Sequence, residues 1–103
     1  MSAVYINDHQ NFHKEVLQSE KPVLLDFFAS WCGPCRMVSP LLDEIAKERP
    51  DIKVVKVDID QNPDLAMQYR VMTVPTLMVV KDGEIVKQSR GARPKGQILA
   101  MLS

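Results

Sequence analysis

Three features are scarce or missing in this sequence: cysteine, an excess of charge of one sign, and long apolar runs. The chain has only two cysteines, which are too few for a small secreted domain stabilised by several disulfides. Thirteen basic residues balance thirteen acidic ones, so the overall charge gives no reason to expect a nucleic-acid-binding or membrane-surface protein. Apolar runs such as Val23-Leu24-Leu25, which Asp26 ends, are too short to span a bilayer.

The length and composition are those of one small globular domain. The 103 residues are 46% hydrophobic and 25% charged, which is typical of folded proteins and argues against disorder. No repeat, linker or low-complexity stretch divides the chain, so we expect a single domain over residues 1–103. The N-terminal residues have neither a basic start nor an apolar stretch as long as a secretion signal, which favours a cytoplasmic protein.

Hydrophobic periodicity predicts alternating strands and helices. Strands are expected at residues 4–6, 22–29, 52–58, 76–80 and 84–88, and helices at 9–19, 32–49, 63–69 and from 94 onward. Asp8 is a suitable N-cap for the first helix, Pro40 should kink the second, and Asp82-Gly83 predicts a hairpin between the last two strands. This order predicts an α/β domain with a parallel half and an antiparallel hairpin half, covered by helices.

Cys32 and Cys35 are better suited to chemistry than to structure. Cys32 opens the second helix, where unpaired backbone N–H groups and the positive end of the helix dipole favour the nucleophilic thiolate. Cys35 lies one turn later on the same face, within reach to close a disulfide ring. We predict that Cys32 attacks a substrate disulfide and that Cys35 resolves the mixed disulfide. Pro34 adds no charge that would stabilise the thiolate, which favours a reductant over an oxidant.

The residues around the cysteine pair resemble the thioredoxin family, and the resemblance covers nearly the whole chain. It is carried by Trp31-Cys32-Gly33-Pro34-Cys35, Asp26-Phe27-Phe28-Ala29, Pro40, the segment 58–63, Val74-Pro75-Thr76, Asp82-Gly83 and Gly91-Ala92. It implies the thioredoxin fold, an α/β fold whose central mixed five-stranded sheet is flanked by four helices. It also implies a monomeric protein-disulfide reductase without a bound cofactor, which reduces disulfide-containing target proteins and is recharged by a separate thioredoxin reductase.

Two ionisable residues lie in otherwise apolar strands. Asp26 interrupts Leu24-Leu25-Asp26-Phe27-Phe28, and burial of its carboxyl group would raise the pKa. The resemblance implies that Asp26 lies beneath Cys35 and accepts its proton, with Lys56 as its neighbour. Two simpler interpretations stay open: an early strand end that leaves Asp26 in solvent, and an exposed Lys56 that pairs with Asp58.

The resemblance also implies a substrate-binding surface. Its members would be Trp31, Gly33, Pro34, Val74, Pro75, Gly91 and Ala92. Composition alone favours a trans Val74–Pro75 bond, since only about 5–6% of X–Pro bonds in folded proteins are cis. The resemblance implies a cis bond instead, with the Val74 backbone free to pair with an extended substrate segment. The alternative for Trp31 is a position in the core, which its place beside a nucleophilic cysteine disfavours.

Several residues depart from the family pattern. Thr73 stands where a small residue is common and would narrow the substrate groove. Arg70 and Arg90 stand where the family commonly has glycine and an apolar residue. Together with Arg36 and Arg93 they either surround the active site with positive charge, and so select acidic partners, or are scattered in solvent.

Other interpretations of the sequence carry less weight. His9 and His13 share a helix face and could join the cysteines in a zinc site, but surface histidines are commoner and we expect no metal. The six methionines are expected mostly in the core. An oxidase or isomerase, which Gly33-Pro34 disfavours, and a non-catalytic docking module remain alternatives to the reductase.

Overall fold

One mixed sheet of five strands runs through the centre of the computed structural model, which describes residues 2–103. The strands are β1 (Val4–Tyr5), β2 (Val23–Phe28), β3 (Lys53–Asp58), β4 (Thr76–Lys81) and β5 (Glu84–Arg90), in the spatial order β1-β3-β2-β4-β5. β1 and β2 both pair parallel to β3, whereas β4 pairs antiparallel to β2 and to β5. The predicted division into a parallel half and a hairpin half is confirmed.

Four α-helices cover the two faces of the sheet in the described part of the chain. They are α1 (His9–Phe12), α2 (Gly33–Glu48), α3 (Pro63–Gln68) and α4 (Lys95–Met101). Asp8 is the N-cap of α1, as predicted, because its carboxylate accepts the Asn11 N–H. Beyond α1 the helix predicted to reach residue 19 becomes a π-helical segment, His13–Leu17. Apolar spacings of four and five residues fit both kinds of helix, so periodicity does not distinguish them.

Side chains of β2 alternate between two apolar cores, one on each face of the sheet. Val23, Leu25 and Phe27 pack with residues of α1, the π-helical segment and α3 on one face. Leu24 packs with α2 and α4 on the other face. Asp26 is two residues from Leu24 and therefore points to the face that α2 covers. No helix within residues 2–103 has the length and apolar character needed to cross a membrane.

The last helix is anchored mainly by one side chain. Ile98 of α4 is fully buried among residues of α2, β2 and β4, whereas its neighbour Gln97 is exposed. We expect Ile98→Ala to lower the free energy of unfolding by about 2 to 4 kcal/mol, because it removes buried methylene groups and leaves a cavity. Gln97→Ala is the matched control. Urea unfolding measures both, and equal stability of the two variants would contradict the assignment of Ile98 as the anchor.

Candidate active site

A disulfide between Cys32 and Cys35 lies at the N-terminus of α2. Cys32 is the N-cap residue: its Sγ accepts the Cys35 N–H at 3.1 Å, and the two Cα atoms are 5.3 Å apart. Both residues are buried. The Cys32 sulfur is therefore held at the positive end of the helix dipole by a backbone N–H, a setting that stabilises the thiolate once the disulfide is reduced. The pairing predicted from the spacing is confirmed.

The loop before β4 faces the disulfide. The Cys32 Sγ lies 3.6 Å from the Val74 carbonyl oxygen, and the Val74–Pro75 peptide bond is cis. The trans bond favoured by composition is therefore wrong. The Gly91 N–H donates to the Pro75 carbonyl oxygen at 2.8 Å, and Gly91 has a φ of 86°, a left-handed conformation that favours glycine. The structure thus brings Val74, Pro75 and Gly91 together beside Cys32.

Trp31 lies on the surface next to the disulfide and is 65% exposed. Its indole N–H donates to the Asp60 carboxylate at 2.9 Å, which holds the ring in place from the loop after β3. A core position for Trp31 is therefore wrong. Gly33, Pro34 and Ala92 are exposed as well, so the predicted surface is open to a partner apart from the more buried Val74, Pro75 and Gly91.

Three methionines that were expected in the core lie on the surface instead: Met37, Met67 and Met72. Met37 lines a groove of about 280 Å³ with Ala92, Arg93 and other residues of α2 and the segment before α4. It thus borders the predicted substrate surface, and sequence reasoning missed it. The signal was available, since Met37 is rotated by about 100° around α2 from the buried Val38.

Asp26 is buried on the α2 face of the sheet, with 1% of its surface exposed. Its Oδ1 atom has no hydrogen-bond partner among residues 2–103. Desolvation raises the pKa of this carboxyl group to about 7, and the Lys56 ammonium group opposes that rise. The interpretation that leaves Asp26 in solvent is therefore wrong. A carboxyl group with this pKa both accepts and releases protons near neutral pH.

Lys56 is buried as well and lies opposite Asp26 in the parallel pairing of β2 with β3. Its Nζ atom donates to the Ser39 Oγ at 2.7 Å, to the Ser39 carbonyl oxygen at 3.4 Å and to the Asp43 Oδ1 at 2.8 Å. Both acceptor residues lie on α2. An exposed Lys56 paired with Asp58 is therefore wrong, and the Asp58 carboxylate instead accepts backbone N–H groups of its own loop.

A cavity of about 140 Å³ extends from Cys35 to this lysine. Its lining includes Cys35 and Lys56, together with Tyr5, Phe28, Ala29, Ser30, Arg36 and Ser39. Sequence reasoning missed Ser39 and Asp43. Their spacing of four residues on one helix face was the signal that could have placed them together.

Two of the four arginines singled out in the sequence border the site. Arg36 lines the cavity with Cys35, and its guanidinium donates to the Ser30 carbonyl oxygen at 2.9 Å. Arg93 lines the Met37 groove and donates to the Arg90 carbonyl oxygen at 3.3 Å. Arg70 lies in the loop after α3 with a φ of 54°.

The histidines lie apart from the cysteines. His9 and His13 line a groove with residues of α3, and the His9 Nε2 lies 3.5 Å from an Asp64 carboxylate oxygen. Across residues 2–103, no group of three or more His, Cys, Asp or Glu side chains is arranged to hold a metal ion.

Comparison with known proteins gives one consistent result. A family model described as Thioredoxin matches residues 3–103. The Thioredoxin of Mycobacterium tuberculosis (strain ATCC 25618 / H37Rv) is 51% identical over 94 residues, covering 90% of this chain and 81% of that protein. Thioredoxin 1 of Synechococcus elongatus is 56% identical over 85 residues, covering 82% and 79%. The Thioredoxin of Pyropia yezoensis is 48% identical over 104 aligned positions, covering 100% and 96%.

The buried carboxyl group predicts a pH-dependent stability. The pKa of Asp26 is about 7 in the folded protein and 3.8 without burial, so folding takes up a proton between these pH values. The protein should therefore lose stability as pH rises from about 4 to 7, at up to roughly 1.4 kcal/mol per pH unit. Asp26→Asn cannot ionise, and we expect it to be more stable than the wild type by about 2 to 4 kcal/mol at pH 8, with little difference at pH 4.

Urea unfolding across this pH range measures the difference. Asp82→Asn, at an exposed turn aspartate whose φ of 51° also suits asparagine, is the matched control and should follow the wild type at every pH. Parallel curves for the wild type and Asp26→Asn would contradict the raised pKa of Asp26.

Proposed function

We propose that in this chain, which belongs to the thioredoxin family and is a thiol–disulfide reductase, Cys32 attacks disulfides of target proteins and Cys35 resolves the mixed disulfide. The observation that carries the assignment is the position of Cys32 as N-cap of α2, with a backbone N–H donated to its sulfur. This environment favours the thiolate, which is the attacking species. Cys35 is positioned to close the ring, since it is the residue already bonded to Cys32 in the oxidised protein.

The proposed reaction has two exchange steps. In the first, the Cys32 thiolate forms a bond to one sulfur of the target disulfide, and the other target sulfur leaves as a thiolate. In the second, the Cys35 thiol loses its proton and attacks the Cys32 sulfur, which forms the Cys32–Cys35 disulfide and releases the second target sulfur. Two electrons pass from the dithiol to the target, and the released thiolates take up protons.

We infer that Asp26 accepts the proton of Cys35 in the second step. Two observations support this role: the carboxyl group is buried beneath the helix that carries Cys35, and its pKa of about 7 lets it take up a proton near neutral pH. Lys56 shares a cavity with Cys35 and supplies the opposing positive charge that makes an ionised Asp26 tolerable. We therefore count both residues with the two cysteines as the catalytic set.

We propose that targets bind as extended segments across the surface beside the disulfide. The proposed contacts are Trp31, Gly33, Pro34, Val74, Pro75, Gly91 and Ala92. The exposed Trp31 offers apolar area, and the backbone at Val74 lies close enough to Cys32 to align a target strand with the attacking sulfur. Backbone pairing recognises any extended segment, which suits a reductase with several targets.

We further infer the cellular setting of the reaction. Gly33 and Pro34 add no charge that would favour the reduced form, so the dithiol should be a reductant that works in the cytoplasm, where thiols are kept reduced. Each turnover leaves the protein oxidised, so a separate thioredoxin reductase must return two electrons. Residues 1–103 would act as one domain, because both cores draw on elements from the two halves of the sheet.

The cysteine roles predict which variant traps a target. Cys35→Ser should accumulate a mixed disulfide between Cys32 and an added disulfide-bonded protein such as insulin, because the second exchange step cannot occur. Cys32→Ser is the matched control and should form no adduct in the time that Cys35→Ser needs to form one. Mass spectrometry under non-reducing conditions measures the adduct. An adduct formed by Cys32→Ser and not by Cys35→Ser would reverse the two cysteine roles. If the variant with both cysteines replaced by serine still bound the target non-covalently as strongly as the wild type, the surface would act as a docking module.

The arginines at the site predict a preference for acidic targets. We expect the double variant Arg36→Gln/Arg93→Gln to reduce an acidic disulfide-bonded peptide roughly 3 to 10 times more slowly than the wild type at low salt, because it removes long-range attraction. The deficit should vanish at high salt. Arg49→Gln is the control, since Arg49 pairs with Asp51 at the far end of α2. A deficit equally large with a lysine-rich peptide would contradict charge selection.

A further inference from the structure

The hydrogen bonds of Lys56 are directed away from its charged neighbour. Asp26 and Lys56 occupy partner positions of β2 and β3, and both are 1% exposed. All three hydrogen bonds from the Lys56 Nζ nevertheless go to α2, namely to the Ser39 hydroxyl and carbonyl oxygens and to the Asp43 carboxylate. The Tyr5 ring lies 5.4 Å from the same Nζ atom. The Asp26 Oδ1, by contrast, has no partner in the described chain.

It is physically unusual for a buried lysine to donate all its hydrogen bonds away from a buried aspartate beside it. A buried carboxylate and a buried ammonium group side by side would ordinarily form a direct ion pair, because each charge is costly to bury alone. The Asp43 carboxylate, which is about half exposed, competes for the ammonium group with a lower desolvation cost than Asp26 would have. Ser39 adds the shortest of the three hydrogen bonds, at 2.7 Å, and thereby fixes where the lysine side chain ends.

We propose that Ser39 and Asp43 are positioning residues that direct the Lys56 ammonium group toward α2 and keep it from forming an ion pair with Asp26. The Lys56 charge then acts on Asp26 only through space. A direct, hydrogen-bonded ion pair would stabilise the Asp26 carboxylate much more strongly, and the carboxyl group would stay ionised at neutral pH. Ser39 and Asp43 thus maintain a carboxyl group that exchanges protons in the working pH range.

The inference deepens the proposed function and rests on it, because it matters for turnover only if Asp26 accepts the Cys35 proton. The charged or titratable groups that line the cavity beside Lys56 or bind its Nζ atom come from three elements: Tyr5 on β1, Lys56 itself on β3, and Cys35, Arg36 and Asp43 on α2. On the β4 side Asp26 faces Leu77, which carries no charge. Lys56 is therefore the one cation of this group whose distance from Asp26 depends on Ser39 and Asp43.

The test measures the pKa of Asp26 in the oxidised protein, by carbon-13 NMR of its carboxyl group, so that cysteine ionisation does not interfere. Ser39→Ala removes a hydrogen bond without changing any charge, and we expect the pKa of Asp26 to fall. Ser39→Ala/Asp43→Asn should lower it further, by about 1 to 3 pH units in all, as for a carboxyl group that gains a cationic partner. Lys56→Met should raise it.

Two comparisons separate positioning from a direct charge effect. Asp43→Asn should change the pKa of Asp26 when Lys56 is present and leave it nearly unchanged in a Lys56→Met background, because the effect acts through the lysine. Glu44→Gln is the matched control, since Glu44 is the next residue of α2, is equally exposed and pairs with another lysine, Lys95. It should leave the pKa of Asp26 unchanged.

Each outcome decides the proposal. A pKa of Asp26 that stays near 7 in Ser39→Ala/Asp43→Asn, or an Asp43→Asn effect that persists without Lys56, overturns it. If the double variant does not fold, Ser39→Ala alone decides the proposal, and a pKa of Asp26 that stays near 7 in this variant overturns it. The pH–rate profile of insulin reduction then tests the proposed function separately. If the pKa falls but the profile does not move with it, the positioning role stands and the proton-accepting role of Asp26 is wrong.

Discussion

The packing of α2 across β2 and β3 is the constraint on which the rest of the site depends. The apolar side of α2 covers the sheet face that carries Leu24 and Val54, and this contact builds one of the two cores. Because side chains alternate along a strand, the same face also carries Asp26 and Lys56. The helix that places the disulfide at its N-terminus therefore also excludes water from a carboxyl group and an ammonium group beneath it.

Burial of Asp26 lowers the stability of the fold at neutral pH and above. The Asp26 carboxyl group is costly to ionise because it is buried and its Oδ1 atom has no hydrogen-bond partner within residues 2–103, and an apolar or amide side chain would avoid burying a charge there. The cost is confined to one position, since the neighbouring Lys56 is satisfied by Ser39 and Asp43. The helix dipole and the backbone N–H at Cys32 likewise favour a reactive thiolate in the reduced protein. The helix dipole and this N–H group both act on Cys32 at the N-terminal end of α2.

The sequence predicts much of this architecture, and it fails where tertiary contacts choose among local options. The Cys32–Cys35 pair and the capping Asp8 are local patterns that can be interpreted directly from the sequence, whereas Asp26 within an apolar strand left both a buried and a solvent-exposed carboxyl group open until the fold showed it buried. The partner of Lys56 is not local: Asp58 is two residues away on the same strand, yet Asp43 is closer in space because α2 lies over β3. Composition also favours a trans Val74–Pro75 bond, and only the family resemblance indicated the cis bond that is present.

The most direct test of the reductase account is the equilibrium reduction potential of the Cys32–Cys35 pair. Trp31 is the only tryptophan and adjoins the disulfide, so its fluorescence reports the redox state against buffers of defined potential. The account predicts a reduction potential clearly below that of the cytosolic glutathione pool, which is roughly −220 to −260 mV when measured in cell extracts. A potential well above that range would contradict it, because the protein would then oxidise or isomerise target disulfides rather than reduce them.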